Sequence, residues 1–128
     1  MGEHEHHEQL IKGISKEYED IFEGSKQGIY IYLDDNHKVC NQQLAKMLGY
    51  DSADDWVAVT EDLVGMMVAE GSQEKLINAF LSAHDKSIGS EVEVTWNKKT
   101  GGSLDTKVIL VPISFQGHIF ALHFVTPL

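Results

Sequence analysis

The last third of the chain most constrains what it can fold into, because three strand patterns follow one another with only tight turns between them. Glu91-Val92-Glu93-Val94-Thr95-Trp96 alternates strictly, which puts Val92, Val94 and Trp96 on one face, toward a core. Lys98-Lys99-Thr100-Gly101-Gly102 is hairpin-turn chemistry, and residues 104–114 carry the next strand. Gln116-Gly117 makes a second turn before a last strand over residues 118–125. Such short connections permit only antiparallel neighbours, so this segment is a meander. Its middle strand adds a condition. One of its faces is polar at Asp105 and Lys107 but apolar at Ile109, Val111 and Ile113, so both faces of its second half need cover.

The preceding segments supply that cover. Ile11, Ile14, Tyr18, Ile21 and Phe22 fall at helical spacing, which predicts an amphipathic helix over residues 10–23 that stops at Gly24-Ser25. Residues 2–9, Gly-Glu-His-Glu-His-His-Glu-Gln, show no apolar period and are either a disordered tail or the start of that helix. Gly28 opens the strand Ile29-Tyr30-Ile31-Tyr32-Leu33, Asp34-Asp35-Asn36 is a turn, and a short strand spans residues 38–40. Asn41 is a good N-cap for a helix carrying Leu44, Met47 and Leu48, ended by Gly49. Residues 51–71 read as short helical turns, and Ser72 as the cap of a helix to about His84. The expected class is α+β: a five-stranded antiparallel sheet with short helices on one face and the N-terminal helix on the other. The organisation is a polar tail (1–9), an amphipathic helix (10–24) and a core domain (25–128).

Composition narrows the function. A chain of 128 residues, 42% apolar and 23% charged, builds one core and one domain. Twenty acidic residues face ten basic ones, all lysine, for a net charge of −10. That charge argues against nucleic acid as a partner, and the lack of arginine removes bidentate anion clamping. No apolar run spans a bilayer, the charged N-terminus has no signal-peptide character, and the single Cys40 cannot form an internal disulfide. The expectation is a cytoplasmic protein, not a membrane protein, a secreted mini-scaffold or a zinc ribbon.

Ile21-Phe22-Glu23-Gly24-Ser25, then Gly28-Ile29-Tyr30-Ile31, then Asn41 with Leu48-Gly49-Tyr50, resemble a PAS domain. The likeness continues through Phe80 to His84, the strand before Lys98-Lys99-Thr100-Gly101, and Val111-Pro112-Ile113-Ser114-Phe115-Gln116-Gly117, so it covers roughly residues 18–126. The resemblance implies a sheet that cradles a pocket against short helices. It also implies a non-enzymatic sensory role, signalling through flanking helices or dimer contacts. No kinase, cyclase or DNA-binding segment is attached. The output is therefore expected to pass to a separate effector chain, or the chain is a piece of a longer one.

Alternation and family position together place Ile29, Ile31, Leu44, Leu48, Met66, Met67, Leu76, Phe80, Val94, Val108, Leu110, Leu122 and Phe124 in the pocket lining. The expected ligand is a small, mostly apolar molecule or cofactor; the alternative is a ligand-free protein–protein interaction module. His84 joins the lining because Leu76, Phe80 and His84 share a helix face, and in haem-binding relatives the iron ligand sits near this helix. The competing role for His84 is to meet the last helix carbonyls, and no arginine is present to hold a haem propionate. Cys40 lacks the Asn-Cys-Arg-Phe-type motif of flavin-binding light sensors. Haem and flavin are thus both disfavoured, and no cofactor is required.

His4, His6 and His7 are an adventitious metal cluster: with Met1 removed, the amine, two amides and His4 can wrap copper(II) or nickel(II). Tyr18, Phe22, Tyr30 and Tyr32 either stack on a planar ligand or pack the core. Acidic pairs such as Asp34-Asp35 read as solvated turn residues, and no catalytic constellation is expected. Ile11, Ile14, Tyr18 and Ile21 are spaced 3, 4 and 3, which predicts a homodimer seam on helix 10–23. The alternative is that this helix caps its own sheet in a monomer.

Overall fold

The strands that the meander dictates are present in a computed structural model, which describes residues 3–128, with side chains from His6 onward. They are β1 (Gly28–Asp34), β2 (His37–Cys40), β3 (Ser90–Asn97), β4 (Ser103–Phe115) and β5 (His118–Pro127). All pairs are antiparallel and the order is β2-β1-β5-β4-β3, so the first and last strands meet in the middle of the sheet. Gln116 and Gly117 take φ of 50° and 79°, the left-handed pair that a two-residue hairpin between β4 and β5 requires.

The helices are α1 (Glu3–Glu17), α2 (Glu19–Gly24), α3 (Gln42–Met47), α4 (Ala53–Val57), α5 (Leu63–Met67) and α6 (Glu70–Lys86). Three boundaries differ in detail from the sequence reading. Residues 3–9 take the second of the two readings given for them, as the start of the helix, and the helix expected over 10–23 is interrupted at Tyr18. Backbone bonds from Tyr18 N to Ile14 O and from Phe22 N to Tyr18 O bridge the interruption, and Phe22 lies in the same apolar cluster as Ile14. Ser72 lies inside α6 rather than capping it. Its hydroxyl accepts from Thr95 N at 3.0 Å and ties α6 to β3.

The sheet separates two cores. On the inner face Tyr30, Cys40, Val94, Trp96, Val108, Leu110, Ala121 and Val125 pack with Leu44, Leu48, Trp56, Leu63, Met67 and Leu76 of the short helices and α6. On the outer face Ile29, Ile31, Phe120 and Leu122 pack beneath Leu10, Ile11 and Ile14 of α1 and Phe22 of α2. The expected helical lid on the β4 stripe is only partial. Ile113 and Phe115 lie under α1, whereas Ile109 and Val111 on the same strand face are each 37% exposed.

Two buried polar side chains lock the connections. Asn41 Oδ1 accepts from Leu44 N and Ile29 N at 3.0 Å each, while Nδ2 donates to Phe22 O at 3.1 Å and Gln27 O at 2.9 Å. One amide thereby caps α3 and fixes the path from α2 into β1. Lys38 is 1% exposed, and its ammonium donates to the carbonyls of Asp35 at 2.8 Å, Val57 at 3.2 Å and Val59, over the face of Trp56. Burial pulls its pKa below the ordinary lysine value. The backbone between α4 and α5 is thus held by a donor from β2.

Candidate functional site

A cavity of about 240 Å³ lies between the inner face of the sheet and the helices α5 and α6. β1 contributes Tyr30 and Tyr32, β5 contributes His123, α5 with its cap contributes Asp62, Leu63 and Val64, and α6 contributes Leu76, Ile77 and Phe80. The β1–β5 register sets Tyr30 opposite His123, so their rings stack 3.9 Å apart at 10°. Phe80 lies nearly parallel to His123 at 6.2 Å, and Tyr32 meets Phe80 edge-on at 5.7 Å. Four rings thus form one aromatic wall.

The electrostatics follow from burial. His123 is 1% exposed; desolvation drives its pKa down to about 3, against a weaker opposing pull from backbone bonds to Tyr30 and Ala121. Its imidazole is therefore neutral at physiological pH, with Nδ1 donating to Tyr30 O at 3.3 Å. Burial also raises the Tyr30 and Tyr32 hydroxyls well above the ordinary phenol value, and Tyr32 donates to Asp35 Oδ1 at 2.8 Å. Asp62 is the one acidic residue in the lining, and its carboxylate caps α5 by accepting from Gly65 N at 3.1 Å. Such a wall can stack on a small flat molecule. It offers no cation to an anionic one.

The expected lining divides four ways. Leu76 and Phe80 line the cavity; Leu44, Leu48, Met67, Val94, Val108 and Leu110 lie in or against the inner core around it. Ile29, Ile31, Leu122 and Phe124 are on the opposite face, packed with the α1 cluster, because β1 and β5 carry the other strand phase. Met66 is 42% exposed on α5, where Met67 takes the inward position. His84 is an exposed residue bonded to Asp85 at 2.9 Å and stacked on Phe80 at 5.8 Å, and it does not line the cavity.

Tyr30 and Tyr32 prove to be wall residues, while Tyr18 and Phe22 belong to the outer cluster. His123 was missed altogether. The signal available was its place as the one polar residue inside the apolar run Ile119–Val125. Cys40 is buried, and desolvation raises its thiol to about 12, which keeps it protonated. A wider groove of about 650 Å³ between α1–α2 and the start of α3 sets Lys, Glu, Ser and amide side chains around an apolar floor of Ile11, Phe22, Val39 and Ala53. Of the histidine tail, the His4 side chain lies outside the described residues, whereas His6 and His7 contact the sheet end through His118 and Asp34.

No protein-family model and no curated protein matches the sequence. Solved structures do. A PAS domain from Colwellia psychrerythraea superposes with a TM-score of 0.68 at 19% identity, covering 90% of this chain and 97% of that one. A PAS domain from a two-component sensor histidine kinase gives 0.64 at 11% identity over 91% and 98%. The N-terminal domain of a diguanylate cyclase with PAS/PAC sensor from Marinobacter aquaeolei gives 0.60 at 14% over 78% and 94%. No helix among the described residues is long and apolar enough to cross a membrane. The strand order, the helices on the inner face and these superpositions over nearly the whole chain agree on one architecture, and the chain has the PAS fold.

Proposed function

We propose that this chain is a non-enzymatic, cytoplasmic sensory module that binds a small, flat, mostly apolar molecule in the α5–α6 cavity. The observation that carries this reading is the wall of Tyr30, Tyr32, Phe80 and neutral His123 along a half-open cleft. At about 240 Å³ the space suits a ligand of about ten non-hydrogen atoms, below the usual range for drug-sized pockets. A haem or flavin has several times that many atoms. With Asp62 as the charged lining residue and a net charge of −10, a neutral or cationic ligand is favoured over an anion.

Solved neighbours from a sensor histidine kinase and a diguanylate cyclase support a signalling role, and the receiver is an effector on a separate chain or on the rest of a longer one. Ligand-observed NMR with phenol and indole tests the cavity. Saturable binding to the native chain, lost in a folded Val64→Trp variant, is the expected result. Binding unchanged in that variant would place the ligand elsewhere. No binding of either probe would favour the ligand-free interaction module.

A second copy is our proposed first partner, although the seam differs from the one expected on helix 10–23. Ile11 and Ile14 are buried on the chain's own sheet, as the monomeric alternative requires of them. Exposed apolar side chains beside this helix and strand include Ile21 on α2, at 45% exposure, and Ile109 and Val111, which continue the β4 stripe beyond α1. These support a dimer built on α1–α2 together with the outer face of β4.

A further inference from the structure

Outside the cavity, the densest cluster of ligating side chains lies where α1 crosses the end of the β1–β2 hairpin. Asp34 closes β1 and His37 opens β2, so the intervening two-residue turn places them side by side in the register. His37 Nδ1 is 2.7 Å from Asp34 Oδ1, and His7 Nδ1, coming from α1, is 2.9 Å from Asp34 Oδ2. The His7 and His37 rings meet edge-on at 5.6 Å. One ligand atom from each of the three residues lies within 4.8 Å of the others. His6 adds a second imidazole contact at this corner, its Nε2 3.1 Å from that of His118 at the start of β5.

We propose that His7, Asp34 and His37 form a zinc-class divalent metal site that clamps α1 to the β1–β2 hairpin. Two imidazole nitrogens and a carboxylate oxygen suit zinc, whose bonds of about 2.0–2.1 Å put tetrahedral ligands about 3.3–3.4 Å apart. One ligand atom from each residue already lies within 4.8 Å of the others, so side-chain adjustments of about 1 Å bring one carboxylate oxygen and the two nitrogens to that spacing, and the metal then replaces the hydrogen bonds that now join the groups. Three protein ligands leave a fourth position for water or an exchangeable group. The net charge of −10 favours a dication anywhere on this chain, but only this corner supplies three convergent ligands among the described residues.

The site differs from an N-terminal copper(II) or nickel(II) chelate, because its ligands come from a helix and a hairpin rather than from consecutive amides. The test uses the full chain without an affinity tag, titrated with zinc(II) by calorimetry and with cobalt(II) by absorption. The expected result is one equivalent bound at about 1 µM or tighter, with tetrahedral cobalt bands that zinc abolishes. His7→Gln and His37→Gln should each weaken binding about 100-fold, while His84→Gln leaves it unchanged. His37 is buried, so His7→Gln, on the helix surface, decides the matter if the other variant misfolds. Zinc should also slow amide exchange along α1. Equal affinity in native chain and His7→Gln, or no saturable zinc binding, overturns the proposal.

Discussion

Replacing Asn41 by aspartate exchanges one NH2 group for an oxygen at almost no change in volume, yet it should be among the costliest single substitutions in the chain. The side chain is 4% exposed and makes four hydrogen bonds, two as acceptor and two as donor. Aspartate keeps the bonds from Leu44 N and Ile29 N. It loses both donors, and a carboxylate oxygen then faces the carbonyls of Phe22 and Gln27 at about 3 Å. Each lost bond costs about 1 kcal/mol, and each carbonyl left facing the carboxylate about as much again, for about 4 kcal/mol at neutral pH. The dipole of α3 favours an anion at its N-cap by only about 0.5 kcal/mol, too little to offset this. At about 4 °C per kcal/mol for a chain this size, the melting temperature should fall by about 15 °C.

The pH dependence separates this mechanism from simple loss of packing. Carbonyls against the new carboxyl raise its folded pKa above the unfolded value of about 3.9. A raised carboxyl binds more protons when folded, so the variant loses stability as pH rises. Protonated, it can donate to one of the two carbonyls and recover about half the deficit. Urea unfolding of both proteins at pH 4 to 7 should therefore show a gap that widens from about 2 to about 4 kcal/mol. Asn41→Ala should show a deficit that does not vary with pH. A variant as stable as the native chain, or a pH-independent gap for Asn41→Asp, would refute the four-bond account.

His123 is neutral when folded and titrates at about 3, against about 6.5 unfolded, so its contribution is complete above pH 6.5 and lost as pH falls. Stability should drop by about 1.4 kcal/mol per pH unit from this group below about pH 6, and urea titrations of His123→Phe should lack that slope. Leu110→Lys buries an ammonium at a position 1% exposed and should cost several kcal/mol; an unchanged melting temperature would mean Leu110 faces solvent. Cys40 should react with a thiol reagent only on unfolding, and rapid reaction of native protein would contradict its burial. Sedimentation at micromolar concentration and moderate salt should show a dimer that Val111→Glu dissolves, whereas a monomer throughout that range would end the dimer proposal.

Most of the fold is legible in the sequence because the elements that decide it announce themselves locally. The strict alternation of residues 91–96, the Gly101-Gly102 and Gln116-Gly117 turns and the Asn41 cap each have one sensible structural answer, and each is found in place. The site was less legible, because β1 and β5 are apolar on both faces. Ile119 to Val125 is hydrophobic at either parity except for His123, so alternation cannot say which residues face the helices. That ambiguity assigned Ile29, Ile31, Leu122 and Phe124 to the wrong side, left Tyr30 and Tyr32 between ligand stacking and core packing, and passed over His123. The start of α1 was hidden for another reason. His6 and His7 meet His118 and Asp34, polar contacts that leave no hydrophobic period to read.

The same double-sided strands have a mechanical consequence. Tyr30 touches the cavity, and its chain neighbours Ile29 and Ile31 touch the α1 cluster; His123 stands in the same relation to Leu122 and Phe124. The partition between the two compartments is a single polypeptide thickness, and one peptide bond joins a residue on one side to a residue on the other. A lateral push on the Tyr30–His123 stack therefore levers the side chains under α1 directly, as a rocker arm does, without a relay of intervening contacts. Both strands carry this linkage at the same register, where they are bonded to each other, so they rock as one piece.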